Sequence, residues 1–194
     1  MMRRRPLLAP AQAALAASLT TLAAGTASAT WSIIIINTRT GEIGVASATC
    51  LTGFNLRDNT PVLIPGVGAA TAQSFVDSSG QNRVKIRDML IERAHPDDIL
   101  AALALFDSGH QTRQYGIADT LARAATFSGT GAGAWAGGQI GQLTQTGNLG
   151  DLVYAVQGNV LTGEPVVTEA VQAIIDTPGD IAAKLMASME AARA

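Results

Sequence analysis

The chain has 194 residues, of which 14% are charged and 4% aromatic, and it carries a formal net charge of −2 at pH 7. Its only basic run is Arg3–Arg5, so neither a nucleic-acid partner nor an anionic membrane surface is expected. One cysteine, Cys50, excludes an internal disulfide, and we interpret it as a small buried residue. With only two histidines in the chain, no metal site and no cofactor are predicted.

Residues 1–29 have the layout of a secretory signal peptide. Basic residues precede an apolar stretch at 7–24 and the small-residue pattern Ala27-Ser28-Ala29. Polar residues and a proline interrupt the apolar stretch, which favours cleavage over a transmembrane anchor. The sequence therefore predicts a secreted or periplasmic protein without a stable membrane anchor after cleavage, with the Sec and Tat export routes both open. The mature chain, 30–194, would carry 10 basic and 15 acidic residues and form a single domain.

The mature chain begins with a predicted β-hairpin. Two runs rich in β-branched residues, 31–37 and 42–49, flank a turn at 38–41 in which Gly41 can adopt a positive φ. Residues whose numbers sum to about 79–81 should then pair across the hairpin. Thr30 is therefore expected opposite residues 49–51, with Ser47 as a diagonal neighbour.

Strands and helices alternate along the rest of the chain. Thr177 is the expected N-cap of the last helix, with Pro178 in its first turn. Short strand blocks that alternate with helix pairs predict an α+β domain with mainly antiparallel sheets. The predicted order begins with a loop at 51–59, strands at 61–64 and 66–75, helices at 82–93 and 96–106, and strands at 113–119 and 122–128. A glycine-rich segment at 129–150 follows, which is either irregular throughout or contains one short strand, and then come a strand at 151–157 and helices at 165–176 and from 177 onward.

Signal cleavage would make Thr30 the N-terminal residue. A free N-terminal threonine combines a nucleophilic hydroxyl with an α-amine of reference pKa about 7.7–8.0, which can accept the hydroxyl proton near neutral pH. An internal threonine has no such base. The alternative is that Thr30 merely follows a cleaved leader, because every exported protein begins with some residue.

Five blocks of the mature chain resemble those of the DUF1028 family, a group assigned to the N-terminal-nucleophile (Ntn) hydrolase superfamily. The blocks are "TWSIIIINTRTGEIGVASAT", "GVGAATAQSFVD", "RQYGIAD", "ATFSGTGAGAWAG" and "YAVQGNVLTG". In relatives without a leader, the residue that corresponds to Thr30 follows the removable initiator methionine. The resemblance implies a four-layer αββα sandwich of two antiparallel sheets flanked by helices. Relatives generally continue past the last helix with a further strand, which this chain is expected to lack.

The resemblance also implies hydrolysis of an amide C–N bond through an acyl-enzyme, whose oxyanion needs hydrogen-bond donors. Gly158 and Asn159 can supply them, or they form a turn in which Asn159 is left-handed. Gln73 lies in an otherwise apolar strand, so it is either a structural hydrogen-bond hub or a site residue, and the role of Ser47 is open in the same way. The predicted catalytic residues are Thr30, Asn159, Ser47 and Gln73, and the predicted substrate-binding residues are Ser128, Gly129 and Gly158.

The leading hypothesis is an exported amide hydrolase that acts on a small molecule or peptide. One alternative is a non-catalytic binding module of the same fold for a cell-wall peptide or glycan, although the low aromatic content disfavours a sugar-stacking surface. Another is an interaction subunit of a homo-oligomer. Among the remaining notable residues, His95 and His110 are expected to cap helices or face solvent, and Tyr115 and Trp135 to pack in the core.

Overall fold

A computed structural model describes residues 29–146 and 150–193. The predicted signal peptide, apart from Ala29, lies outside the described residues. Within the described ranges, no helix is long and apolar enough to span a membrane.

The described residues form eight β-strands and five α-helices. The strands are β1 Thr30–Asn37, β2 Ile43–Thr49, β3 Pro61–Ile64, β4 Gly68–Ser74, β5 Arg113–Asp119, β6 Ala124–Ser128, β7 Ala136–Leu143 and β8 Leu152–Asn159. The helices are α1 Leu56–Asn59, α2 Gln81–Ile91, α3 Pro96–Phe106, α4 Pro165–Asp176 and α5 Ile181–Ala191, with a 3₁₀ turn at His110–Thr112.

The strands form two four-stranded sheets in which every neighbouring pair is antiparallel. The first sheet has the order β2-β1-β8-β7 and the second the order β3-β4-β5-β6. The predicted α+β class and the antiparallel pairing are therefore confirmed. The hairpin register is confirmed as well, because Thr30 pairs with Thr49 and Ser32 with Ser47.

The run of isoleucines in β1 is buried on both faces of the first sheet. Ile33 and Ile35 pack with residues of α4 and α5, whereas Ile34 and Ile36 pack against Ala69 and Ala118 of the second sheet. Successive side chains of a strand point to opposite faces, so a strand covered on both sides reads as a continuous apolar run. The other face of the second sheet packs against α2 and α3 through a third apolar cluster: Val62, Ala70, Ala72, Ile86, Leu90, Ile99, Leu103, Tyr115 and Ile117.

The layer between the two sheets changes from apolar to polar along β1. Beyond Ile34, the side chains of β1 that face the second sheet are Ser32 and Thr30, which are 0% and 6% exposed. Buried hydroxyl groups require hydrogen-bond partners, so this end of the interface must be built from complementary polar side chains.

The glycine-rich segment contains a longer strand than the sequence indicates. β7 spans eight residues and pairs along its length with β8. Its glycines leave room for bulky neighbours: a Cβ on Gly141 would lie 2.2 Å from the Tyr154 hydroxyl, and one on Gly137 would lie 2.8 Å from the Trp135 ring. Glycine has low intrinsic strand propensity, so this strand depends on its neighbours rather than on its own composition.

Several local expectations are corrected by the structure. Cys50 is exposed rather than buried. The predicted loop at 51–59 contains the short helix α1. The N-cap of α5 is Asp180, whose carboxylate accepts a hydrogen bond from the Ala183 amide at 2.8 Å, whereas Thr177 terminates α4.

The two histidines have different environments. His95 caps α3 as expected, with Nδ1 accepting from the Asp97 amide. The expectation for His110 was wrong: its side chain is buried, and its ring stacks 4.0 Å from that of Phe127. Burial lowers the pKa of His110, and the neighbouring Asp107 carboxylate acts in the opposite direction. A hydrogen bond from Arg113 lowers the pKa of Asp107 to about 2, so Asp107 stays ionised at mildly acidic pH.

We predict that protonation of His110 destabilises the fold below neutral pH. The unfolded-state pKa is about 6.5, and the folded-state pKa lies lower, so the unfolded state binds more protons as the pH falls. The contribution of the neutral ring to the free energy of unfolding is therefore present at pH 7.5 and is lost as the pH falls below about 6.5. Thermal midpoints measured between pH 7.5 and 5.0 should fall less in His110→Phe, which keeps an aromatic ring against Phe127. Identical pH profiles for the two proteins would contradict this assignment.

Candidate functional site

Thr30 is the first residue of β1 and lies between two neighbouring strands. Its backbone pairs with Thr49 of β2 on one side and with Asn159 of β8 on the other. Asn159 is an extended strand residue that also pairs with Ala136 of β7, so the alternative of a left-handed turn residue is wrong. The positive φ falls instead on Val160, at 55°.

The hydroxyl of Thr30 takes part in a chain of hydrogen bonds. Its Oγ1 lies 2.9 Å from Thr49 Oγ1, and the Thr49 hydroxyl donates to the Ala29 carbonyl at 3.1 Å. A hydroxyl group has one hydrogen to donate, so Thr30 must be the donor to Thr49. With Ala29 attached, the proton of Thr30 is therefore directed at a neutral hydroxyl oxygen.

Gln73 of β4 connects the two sheets. Its Oε1 accepts a hydrogen bond from the Ser32 hydroxyl, and its Nε2 lies 3.3 Å from the Thr30 carbonyl oxygen and 3.4 Å from Asn159 Oδ1. The same Nε2 donates to Gln114 Oε1 at 2.7 Å. Gln73 is 1% exposed, so these contacts are made without competition from solvent. The predicted hydrogen-bond hub is present, and it holds the backbone of Thr30.

Gln114 of β5 extends this network and was missed by the sequence analysis. Its Nε2 lies 2.8 Å from Ser128 Oγ and 2.6 Å from the Gly158 carbonyl oxygen. The residue is completely buried. Its strand also carries Arg113 and Asp119, so a further polar side chain did not stand out in the sequence as Gln73 does in an otherwise apolar strand.

Gln157 of β8 is a third buried amide in the layer. Its Nε2 donates to Thr71 Oγ1, whereas Oε1 has no hydrogen-bond partner among the described residues. Gly116 makes room for it, because a Cβ there would lie 2.0 Å from Gln157 Oε1.

The structure brings most of the predicted site residues together. Ser47 joins the network because its Oγ lies 2.8 Å from Ser32 Oγ. Ser128 joins it through Gln114, and Gly158 contributes a carbonyl acceptor rather than an N–H donor. Gly129 stands apart: its N–H donates to the Arg113 carbonyl, and its Cα packs against the backbone of Gln111.

The polar layer is electrically neutral. Every side chain in it is a hydroxyl or a carboxamide, as the contacts of Thr30, Ser32, Gln73 and Gln114 illustrate. Over the described residues, no group of three or more His, Cys, Asp or Glu side chains is placed to hold a metal ion. These groups can orient a reactant and donate hydrogen bonds, but none of them is a base at neutral pH.

A cavity between the two sheets reaches the network through Ser47. It has a volume of about 350 Å³ and lies where the free edges of β2 and β3 meet under α1. Ser47 is one of its lining residues, and the others are Val45, Leu56, Arg57, Thr60, Pro61 and Leu63.

We predict that Gln73→Leu lowers the free energy of unfolding by about 1–3 kcal/mol, because it leaves buried polar partners such as Ser32 Oγ and Gln114 Oε1 unsatisfied. The matched control is Gln142→Leu in β7, an exposed glutamine whose side chain makes one hydrogen bond, to the Ala122 carbonyl. Gln142→Leu should change the free energy of unfolding by no more than about 0.5 kcal/mol. Urea unfolding of both variants measures the difference, and equal effects would show that the Gln73 contacts contribute nothing particular to stability.

Comparison with known proteins relates the chain to one family. A family model described as "Family of unknown function (DUF1028)" matches residues 30–194. The fold is similar to that of the crystal structure of protein SPO2555 from Silicibacter pomeroyi, assigned to the same family model, with a TM-score of 0.69 and 22% sequence identity over 85% of this chain and 70% of that chain. No curated protein matches the chain. Since the family model covers all of the sequence from Thr30 onward, the chain belongs to the DUF1028 family.

Proposed function

We propose that this protein, once cut after Ala29, is an exported hydrolase that cleaves an amide bond with Thr30 as an N-terminal nucleophile. The observation that carries the proposal is the position of the Thr30 hydroxyl at the end of a buried, neutral hydrogen-bonded layer. The family match also begins at residue 30. We further propose that the two sheets and their flanking helices form the four-layer αββα sandwich of Ntn hydrolases.

The neutral layer supports the α-amine of Thr30 as the general base. The described contacts of Thr30 include no histidine or carboxylate, so the proton of its hydroxyl needs another acceptor. An α-amine with a reference pKa of about 7.7–8.0 is partly unprotonated near neutral pH and belongs to the same residue. The amine exists only after the Ala29–Thr30 peptide bond is cut, so export and activation coincide in this proposal.

The chemical step is nucleophilic acyl transfer. The amine removes the hydroxyl proton, and Oγ1 attacks the substrate carbonyl to form a tetrahedral oxyanion. Asn159 supports this step because its Oδ1 faces Gln73 Nε2, which leaves its Nδ2 as a donor for the oxyanion. Collapse breaks the C–N bond, the proton passes from the α-ammonium to the leaving amine, and water then hydrolyses the ester on Thr30.

Gln73 and Ser47 act as positioning residues in this scheme. Gln73 holds the Thr30 carbonyl and, through Ser32, is connected to Ser47. The substrate is a small molecule or peptide with an accessible amide. A binding module of the same fold, the alternative function, would not require the hydroxyl or the amine of Thr30.

We predict that an N-terminal threonine reagent labels the exported protein at Thr30. The protein purified from the periplasm or medium should have the intact mass of residues 30–194 and should gain one acyl group from a β-lactone probe. Thr30→Ala should abolish the label, whereas Thr30→Ser should retain part of it because serine keeps a hydroxyl and the amine.

The matched control is Thr38→Ala, in the turn just after β1, where an exposed hydroxyl donates a hydrogen bond to the Asp151 carbonyl. This variant should label at the wild-type rate. Equal labelling of Thr30→Ala and wild type would remove Thr30 from the mechanism, and a protein that starts elsewhere than Thr30 would lack the proposed base.

We predict that retaining Ala29 inactivates the protein. The nitrogen of Thr30 is then an amide without a basic lone pair, so acylation by the lactone probe should fall to background while the thermal midpoint stays close to that of the mature form. In the mature form, the acylation rate should rise with pH through about 7–8, as the α-amine loses its proton. Normal labelling of the Ala29-extended protein would contradict the use of the amine as base.

A further inference from the structure

The cavity beside Ser47 is a gap in the packing between the two sheets. Val45 and Ser47 of β2 form one wall, Pro61 and Leu63 of β3 form the other, and Leu56 of α1 covers them. Leu63 is 50% exposed, although it lies on a strand in an otherwise well-packed sheet. An apolar side chain is thus left uncovered inside a concavity, which is typical of a small-molecule site.

The position of the cavity connects it with Thr30. The cavity shares Ser47 with the Thr30 network, because the Ser47 hydroxyl lies 2.8 Å from that of Ser32. Ser47 pairs with Ser32, two residues along β1 from Thr30. Two residues of a strand span about 7 Å, so a ligand held at Thr30 can extend into the cavity with a chain of a few atoms.

The polar groups of the cavity exclude a buried charge. The Thr60 hydroxyl donates to the Leu56 carbonyl at 2.8 Å. The side chain of Arg57 is 89% exposed, and its Nε lies 3.6 Å from Asp58, so this cation stays in solvent. A charged ligand group in the inner part of the cavity, away from Arg57, would therefore be desolvated without a partner.

Ser47 offers one acceptor at the inner end of the cavity. The Ser32 hydroxyl gives its hydrogen to Gln73, so Ser47 must donate to Ser32, and the lone pairs of Ser47 remain available. They suit the N–H of an amide whose apolar part occupies the cavity.

We infer that this cavity binds a short, uncharged aliphatic group of the amide substrate, with Ser47 accepting a hydrogen bond from the substrate N–H. The inference rests on the proposed hydrolase function. The volume of the cavity, about 350 Å³, is near the lower end of the range of volumes of ligand pockets. This size suits a chain of a few carbons rather than a fatty acid.

The test is an NMR titration of the mature Thr30→Ala protein with acetamide, butanamide and hexanamide. Affinity should rise about fourfold for each added methylene that the cavity buries, and the shifted amide signals should include those of Val45, Ser47 and Leu63. Affinities that do not change with chain length, or shifts confined to another surface, would overturn the inference.

A pair of variants tests the assignment to the cavity. Leu63→Asp, in the Thr30→Ala background, should remove the chain-length dependence. Ile140→Asp is the matched control, because Ile140 is a 48% exposed strand residue on β7, at the other end of the first sheet. Ile140→Asp should keep the dependence of affinity on chain length. Equal behaviour of the two variants would contradict the assignment of the aliphatic group to this cavity.

Turnover separates this inference from the proposed function. Wild-type protein should release ammonia from hexanamide faster than from acetamide. Chain-length-dependent binding without any hydrolysis of these amides or of hexanoyl anilide would contradict the hydrolase and leave a binding pocket. Hydrolysis of acetyl and hexanoyl anilides at equal efficiency would contradict the pocket and leave the hydrolase.

Discussion

The contact between the two sheets is the constraint on which the site depends. Along β1 the facing side chains change from Ile36 and Ile34 to Ser32 and Thr30, so one interface contains an apolar half and a polar half. The apolar half holds the sheets together by burial alone. The polar half is stable only when its groups are paired, and Gln73 provides that pairing for both β1 and β5. The position of Thr30 is therefore a consequence of hydrogen bonds that cannot be exchanged for solvent.

Carboxamides suit this role because each has both a donor and an acceptor group and carries no charge. A carboxylate in the place of Gln73 would bury a charge, and a hydroxyl would be too short to reach from the second sheet to the Thr30 carbonyl. Because these partners are neutral and not basic, the reactivity of Thr30 depends on its own hydroxyl and α-amino groups. The same layer can thus serve a nucleophile that carries its own base, as we propose, or a binding site that needs none.

Local signals in the sequence were enough to predict much of the fold and part of the site. The turn at Gly41 set the register that places Thr49 beside Thr30, and that register is confirmed. By contrast, β7 was not predicted at its full length because its glycines are stabilised by side chains from elsewhere, such as Tyr154. Gln114 was missed for a related reason: its partners lie on both sheets, and no periodicity along one strand reveals a contact between sheets.

The Ala29 carbonyl links processing to the geometry of the proposed nucleophile. It accepts hydrogen bonds from the Thr49 hydroxyl and the Cys50 amide, both at 3.1 Å, and these fix the start of β1 in the uncut chain. In the proposed processing, cleavage would remove the Ala29 carbonyl, leave an α-amine on Thr30 and free the hydroxyl hydrogen of Thr49 from its acceptor. In the proposed enzyme, Thr49 can then donate to Thr30 Oγ1, which frees the Thr30 hydroxyl to donate to its own amine. Cutting one peptide bond would thus supply the base and also reverse the hydrogen bond that had directed the proton of Thr30 away from it.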